Sequence, residues 1–304
     1  MSVDLLTFTL VFIPIALIIG LASGTIGYTA WAIVVPLVFV VFGFGLYESL
    51  YISVFIDLVD SLYLIFKYSK KGKVDFKTGS KWGLVAIIGA IGGFILSDRF
   101  LANNQDILKG SVGYIVIVLG SFFIYKGFSQ RKEKKATQFE KPENLSSLEK
   151  EIPANDNDRI DSKKKSDESQ EVTSKTRFNP ILSYLILFGG VLVSGALAGL
   201  VGLGSGMNFV LFFMIALGWG LRKSTGTGIY LMFLVMAFCA FAFASKIDFI
   251  NIWPYMLISS SISLIGTIIG SYYAFKLPKD KLNLLVGSTM ILAALIATFQ
   301  TYLI

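Results

Sequence analysis

Apolar residues run in ten blocks, at about 5–22, 28–45, 47–66, 82–98, 107–128, 181–201, 207–221, 225–245, 252–275 and 282–303, divided by short polar stretches. A helix crossing the hydrocarbon of a bilayer needs roughly 20 residues, so the pattern predicts membrane segments, the shorter ones being half-helices or re-entrant pieces. Residues 129–179 interrupt it. Up to Arg177 they hold one aromatic, Phe139, and 12 Lys/Arg against 11 Asp/Glu, a composition that cannot bury a core and predicts a disordered linker. The chain thus divides into an N-terminal membrane repeat at 1–128, the linker at 129–179 and a C-terminal membrane repeat at 180–304.

The halves are related. Gly20, Gly24 and Gly27 align with Gly195, Gly199 and Gly202 at an offset of 175 residues, and the register continues through Gly43/Gly218, Gly45/Gly220 and Ser49/Ser224. A slip of two then sets Val74-Asp75-Phe76 over Ile247-Asp248-Phe249. Glycine-interrupted apolar segments at matching places in two halves point to a secondary transporter whose substrate site lies between them. Small residues four apart also let helix backbones approach, so close packing is the ordinary reading of Gly20 and Gly24.

Charge orients the segments. Composition is 54% hydrophobic and 15% charged, far from a soluble protein. Lys67, Lys70, Lys71, Lys73, Lys77 and Lys81 mark a cytoplasmic loop by the positive-inside rule. With the linker also inside, Arg222, Lys223, Lys276, Lys279 and Lys281 fall on the same side, while Arg99, Lys109 and Lys246 fall outside. Five segments per half is an odd number, so the repeats are expected to be inverted, with both termini outside. The N-terminus lacks a basic stretch and reads as a first membrane segment rather than a cleaved signal. The fold expected is an all-α polytopic membrane protein of two inverted repeats, about five segments each, with glycine-broken or re-entrant helices, in the cell membrane. The Lys163-Lys164-Lys165 run could touch anionic membrane lipid, although its acidic neighbours favour a solvated tether.

The chain has no histidine and one cysteine, Cys239, inside an apolar block. Serine–histidine and cysteine–histidine nucleophile pairs, disulfides and histidine or thiolate metal sites are therefore excluded, and no cofactor is expected. Ser53, Asp57, Asp60 and Ser61 share one helical face in the third segment. A carboxylate at mid-bilayer costs roughly 2.5–3.5 kcal/mol on insertion scales, so it faces the protein interior and is a functional candidate. Asp57 and Asp60 are read as a proton-coupling pair, against the alternative of carboxyls hydrogen-bonded for packing. Gly202-Leu203-Gly204-Ser205-Gly206 and Ser224-Thr225-Gly226-Thr227-Gly228 each open a helix, whose unpaired N–H groups and partial positive charge suit an anion. The expected substrate site is Gly24, Thr25, Gly27, Tyr28 and Thr29 from the first break, Gly202, Gly204, Ser205, Gly206 and Asn208 from the second, with Ser49, Thr225, Gly226 and Thr227. Neither a phosphate-loop Lys-Ser/Thr nor a soluble strand–turn–helix accompanies these glycines, and nothing points to nucleic acid. Arg222 and Lys223 could draw anions to the cytoplasmic mouth, but topology explains them equally.

The duplicated break, each followed by a polar small-residue helix start, resembles the TauE/SafE family of sulfite and organosulfonate exporters across both membrane halves. Gly202-Leu203-Gly204-Ser205-Gly206 with Gly226-Thr227-Gly228 carries the resemblance in the second half, and Gly27-Tyr28-Thr29-Ala30 with Pro36 in the first. Tyr28 and Trp31 replace part of the glycine run, Leu211 stands where a proline would align, and Asp60 where a small or amide residue is usual. The resemblance implies a sulfur-containing anion and export; the residues themselves leave direction open, since a proton gradient drives symport or antiport through the same parts. The rivals are an anion channel, with flux that does not saturate, a carboxylate transporter, and a scaffold acting through the linker. An intramembrane aspartyl protease needs acids on facing helices, and Asp57 and Asp60 share one. The oligomeric state is left open, a homo-oligomer included.

Overall fold

A computed structural model describes residues 4–26, 29–101, 179–204 and 206–273, with isolated helical positions at 121, 124, 125, 128, 288, 291 and 295. The segments expected at 107–128 and 282–303 lie outside the described residues except at those positions, and so does the linker expected at 129–179, except Asn179. Among the described residues there are eight α-helices and no strand. In chain order they are α1 (Leu5–Ile26), α2 (Trp31–Val35), α3 (Leu46–Ser69), α4 (Phe76–Leu96), α5 (Pro180–Val201), α6 (Gly206–Leu217), α7 (Leu221–Ala244) and α8 (Phe249–Tyr273). All but α2 and α6 are long and apolar enough to cross a membrane.

The breaks have physical causes. Pro36 lacks an N–H, and the chain after α2 continues as a π-helix over Pro36–Val41. Gly202 ends α5 with φ +69°, and Gly43 and Gly218, with φ +70° and +63°, occupy the same left-handed region, which a side chain disfavours. Helix limits recur between the halves: α1 and α5 have 22 residues each, α3 and α7 have 24 each, and every limit of the first pair and the second lies 175 residues from its counterpart.

Packing exchanges partners across the halves. α1 lies along α8 and α5 along α4, while α3 and α7 pack together at the centre. Glycine permits the two outer crossings: a methyl on Gly20 would overlap the Ser263 carbonyl, and one on Gly195 the Ala86 carbonyl. Gly24 meets the backbone of Thr267 and Gly199 that of Ala90, so each first helix rides its partner over a full turn. This is close small-residue packing of the kind that holds membrane helices together without a hydrophobic driving force. The core inside is apolar, with Phe8, Phe12, Phe39, Phe209, Phe213 and Phe243 fully buried. Leu6 and Leu10 on α1 and Ile181 and Leu185 on α5 are exposed, giving the outward faces suited to lipid.

Candidate functional site

The two breaks meet on α3. Asp57 is fully buried at its middle, and both its carboxylate oxygens are used. Oδ1 accepts the Ala30 N–H at 2.7 Å, so a residue of α3 caps α2, whose own first residues supply no side-chain cap. Oδ2 accepts the Thr29 hydroxyl at 2.5 Å. The Thr29 oxygen in turn accepts the Gly204 N–H at 3.1 Å and the Trp31 N–H at 3.4 Å. A hydroxyl has one proton and two lone pairs, and here all three are engaged. Thr29 and Gly204 are themselves 175 residues apart, so equivalent points of the two halves touch, with Asp57 beneath the contact. Glycine is required at 204 because a Cβ would run into Asp57 Oδ2 and Thr29 Oγ1.

Asp60 is also fully buried but faces elsewhere. Its Oδ2 accepts the Ser263 hydroxyl of α8 at 2.7 Å, and its Oδ1 has no hydrogen-bond partner. Thr267, one turn along α8, donates to the Gly20 carbonyl at 3.1 Å. Asp57 and Asp60 are the buried carboxylates among the described residues. Ser53 and Ser61 are buried on the same helix, where Ser61 donates to the Leu58 carbonyl at 3.0 Å and Ser53 Oγ has no partner.

The other expected residues scatter. Gly202 packs over Leu50 and Val54 of α3, near the Asp57 contact. Gly206 opens α6 and is buried, and Asn208 is half-buried two residues into that helix. Gly24 sits in the α1–α8 crossing. The buried Ser49 donates to the Gly45 carbonyl at 2.9 Å within its own helix. Thr225 is buried, and Gly226 lies against the Lys73 carbonyl. Thr227 accepts the Asp75 N–H at 3.0 Å, which places its hydroxyl at the start of α4 rather than at the breaks. Gly27, Tyr28 and Ser205 lie outside the described residues, as does the side chain of Thr25. The structure adds Ala30 and Ser263 to the site. Ser263 belongs to a stripe of buried hydroxyls at Ser259, Ser263, Thr267 and Ser271, and that four-residue spacing in an apolar helix was the available signal.

Two ion pairs flank this centre. Asp75 caps α4 through Thr78 N–H at 3.0 Å and pairs with Lys223 at 3.4 Å. The Thr78 cap, aided by Lys223, holds its carboxyl below the usual carboxylate range. Lys246 meets Asp98 at 2.6 Å, and that hydrogen bond raises the ammonium above its ordinary value. The pairs join the starts of α4 and α7 and the far ends of the same helices, so these two run in the same direction.

A family model described as "Sulfite exporter TauE/SafE" matches residues 12–297 of the chain. No curated protein and no solved structure matches it.

Proposed function

The chain belongs to the TauE/SafE sulfite exporter family, and we propose that it is a proton-coupled secondary transporter of a small sulfur oxyanion, sulfite or an organosulfonate, working by alternating access between inverted repeats. The observation that carries this reading is the junction of Asp57, Thr29 and Gly204, where an ionisable group touches both breaks at once.

The chemistry follows from the hydroxyl. Its oxygen already accepts from Gly204 and Trp31. A proton arriving on Asp57 Oδ2 puts a second proton between that oxygen and Thr29 Oγ1, so the threonine hydroxyl turns its own proton to another acceptor and the lone pairs that hold Gly204 and Trp31 are redirected. The bond at stake between the halves is the one from Gly204. Protonation of Asp57 thereby loosens the second break from the first, and the Gly204 N–H becomes free to hold the anion. Asp60, buried against the Ser263 hydroxyl, serves as the second proton carrier.

Inversion is supported by helix directions. α4 and α7 run the same way, and α3 is joined to α4 by the tight turn at 70–75, so α3 and its counterpart α7 oppose one another. The lysines of that turn and Arg222 lie at one end of the bundle, consistent with a cytoplasmic face, a cytoplasmic linker and outer termini in the cell membrane.

The test is uptake of labelled sulfite into proteoliposomes under an imposed pH gradient, with sulfoacetate and taurine as competitors. Saturable, gradient-driven flux supports the reading. Flux that rises without saturating makes the protein a channel, and no flux with any sulfur anion moves the substrate to the carboxylates.

A further inference from the structure

Hydroxyls of α8 line the way from Asp60 to the lysine-rich end of α3. The Ser263 hydroxyl donates to Asp60 Oδ2 at 2.7 Å. Lys67, seven residues further along α3, donates at 2.7 Å to the Ser271 hydroxyl, eight residues beyond Ser263. These two bridges keep α3 and α8 in step, and a rise of 1.5 Å per residue sets them about 10 Å apart. Thr267 lies midway. Its hydroxyl has one proton, given to the Gly20 carbonyl at 3.1 Å, and the Asp60 carboxyl is a second acceptor within its reach. A hydroxyl with one proton and two acceptors can pass that proton on by turning.

The other end of this file opens on a cavity. Lys67 and Ser271 line a space of about 10 Å³ with Gly24, Tyr68 and Lys71, close to the least volume that takes one water. A larger cavity of about 200 Å³ shares Tyr68 and Lys71 with it. From Ser271 to Thr267 is one helical turn, about 5.4 Å, the reach of a single bridging water. α1 roofs this gap, since a Cβ on Gly24 would overlap the Thr267 carbonyl and the Ser271 nitrogen. Next to Gly24 in α1, the Ser23 hydroxyl is buried and has no partner, an oxygen still free to bond a water. Along α3 the charged groups nearest Asp60 are Asp57 and Lys67. α7 brings Arg222 and Lys223 in its first turn, and α1, α2 and α8 contain no acid or base.

We propose that Ser271 and Thr267 carry protons between the water at the lysine-rich end of the bundle and Asp60. One proton leaves the water of the cavity, each hydroxyl takes one and gives one, and the Asp60 carboxylate gains one, so the hydroxyls end as they began. The inference rests on the transport reading for Asp60 as a proton carrier, and adds the route and the side from which it is loaded.

The full-length protein in nanodiscs is followed by infrared spectroscopy after a pH jump, and the carboxylic acid band that Asp60→Asn deletes reports Asp60. Thr267→Val and Ser271→Ala are each expected to slow the appearance of that band roughly ten-fold, the kinetic equivalent of one lost hydrogen bond, without changing its final amplitude. Thr267→Ser and Ser271→Thr keep an oxygen in place and restore the parent rate. Ser260→Ala, which removes a hydroxyl bonded to the Met256 carbonyl of its own helix, leaves the rate unchanged. Parent rates in both Thr267→Val and Ser271→Ala overturn the route, as does an amplitude that falls with the rate, or a parent with no band that Asp60→Asn deletes. Proton-driven sulfite flux is scored separately. Slowed protonation in the variants of a protein that carries no sulfite keeps the route and removes the transport reading, whereas flux with unslowed protonation removes the route alone.

Discussion

Asp57 and Asp60 lie on α3, and the positions 175 residues on, in α7, hold Met232 and Val235, buried just as deeply. The same asymmetry appears one helix away, where Thr29 of the first break faces Gly204 of the second. At the outer crossings the halves instead share a way of packing: Gly20 lies on the Ser263 carbonyl and Gly195 on the Ala86 carbonyl. The scaffold is matched and the chemistry is one-sided. Packing tolerates two equal copies, whereas a buried acid junction occurs in one half only, and a second buried pair of carboxyls would add desolvation cost without adding a new junction.

The comparison can be broken first at the crossings. Gly195→Leu and Gly20→Leu are each expected to abolish recovery of folded protein from detergent, because a side chain there meets a backbone carbonyl that cannot move aside. Comparable losses confirm matched halves; a folded, monodisperse variant in one half only ends the equivalence. Next is the acid itself. Asp57→Asn is expected to abolish proton-driven flux while sparing anion exchange, and Asp60→Asn to do the same, whereas Met232→Leu in the other half leaves both intact. Unchanged proton-driven flux in both asparagine variants sinks the coupling assignment.

Smaller effects sharpen the picture. Thr29→Val removes the hydroxyl between Asp57 and Gly204 and should cost about 1–3 kcal/mol in thermal or denaturant stability, with Thr29→Ser recovering much of it. At the ends of α4 the two ion pairs respond to opposite limits of pH. The Asp75 carboxyl is held low in the folded protein, so its contribution is present above the unfolded value near 3.9 and fades as pH falls through the folded one. Asp75→Ala should remove that acid-side loss and about 0.5–2 kcal/mol of helix capping, read from melting temperature against pH. Lys246 is held high, so its contribution is present below the unfolded value near 10.4 and fades as pH rises through the folded one. Being exposed, that pair gives the smallest effect of the set, and salt should erase it.

Much of the fold was legible because its punctuation is covalent. Gly43, Gly202 and Gly218 mark breaks that only glycine makes easily. The expected start of that segment at 82 was late because Lys77 and Lys81 hide the first turns of α4 from a hydropathy reading. Asp57 was legible as an acid in an apolar run, and Thr29 and Gly204 as members of the breaks. Which of them would touch was not, because periodicity gives a helix face and not the neighbour that covers it. Asp57 and Asp60 share a face in sequence yet find different helices, one the breaks and the other Ser263. Thr227 shows the same limit, since its hydroxyl is taken by the Asp75 N–H.

The exchange of partners between halves also sets an order of assembly. α1 is made well before the helix that covers its glycine face: Thr267 follows Gly20 by 247 residues. That face carries only glycine and apolar side chains, so α1 can wait in lipid at little cost. α3 cannot do so as easily, because Ser263 follows Asp60 by 203 residues and the carboxyl must meanwhile be sheltered or protonated. Neither half is then a folding unit. Residues 1–128 made alone should be degraded, and co-synthesis with 180–304 as a separate chain should rescue both.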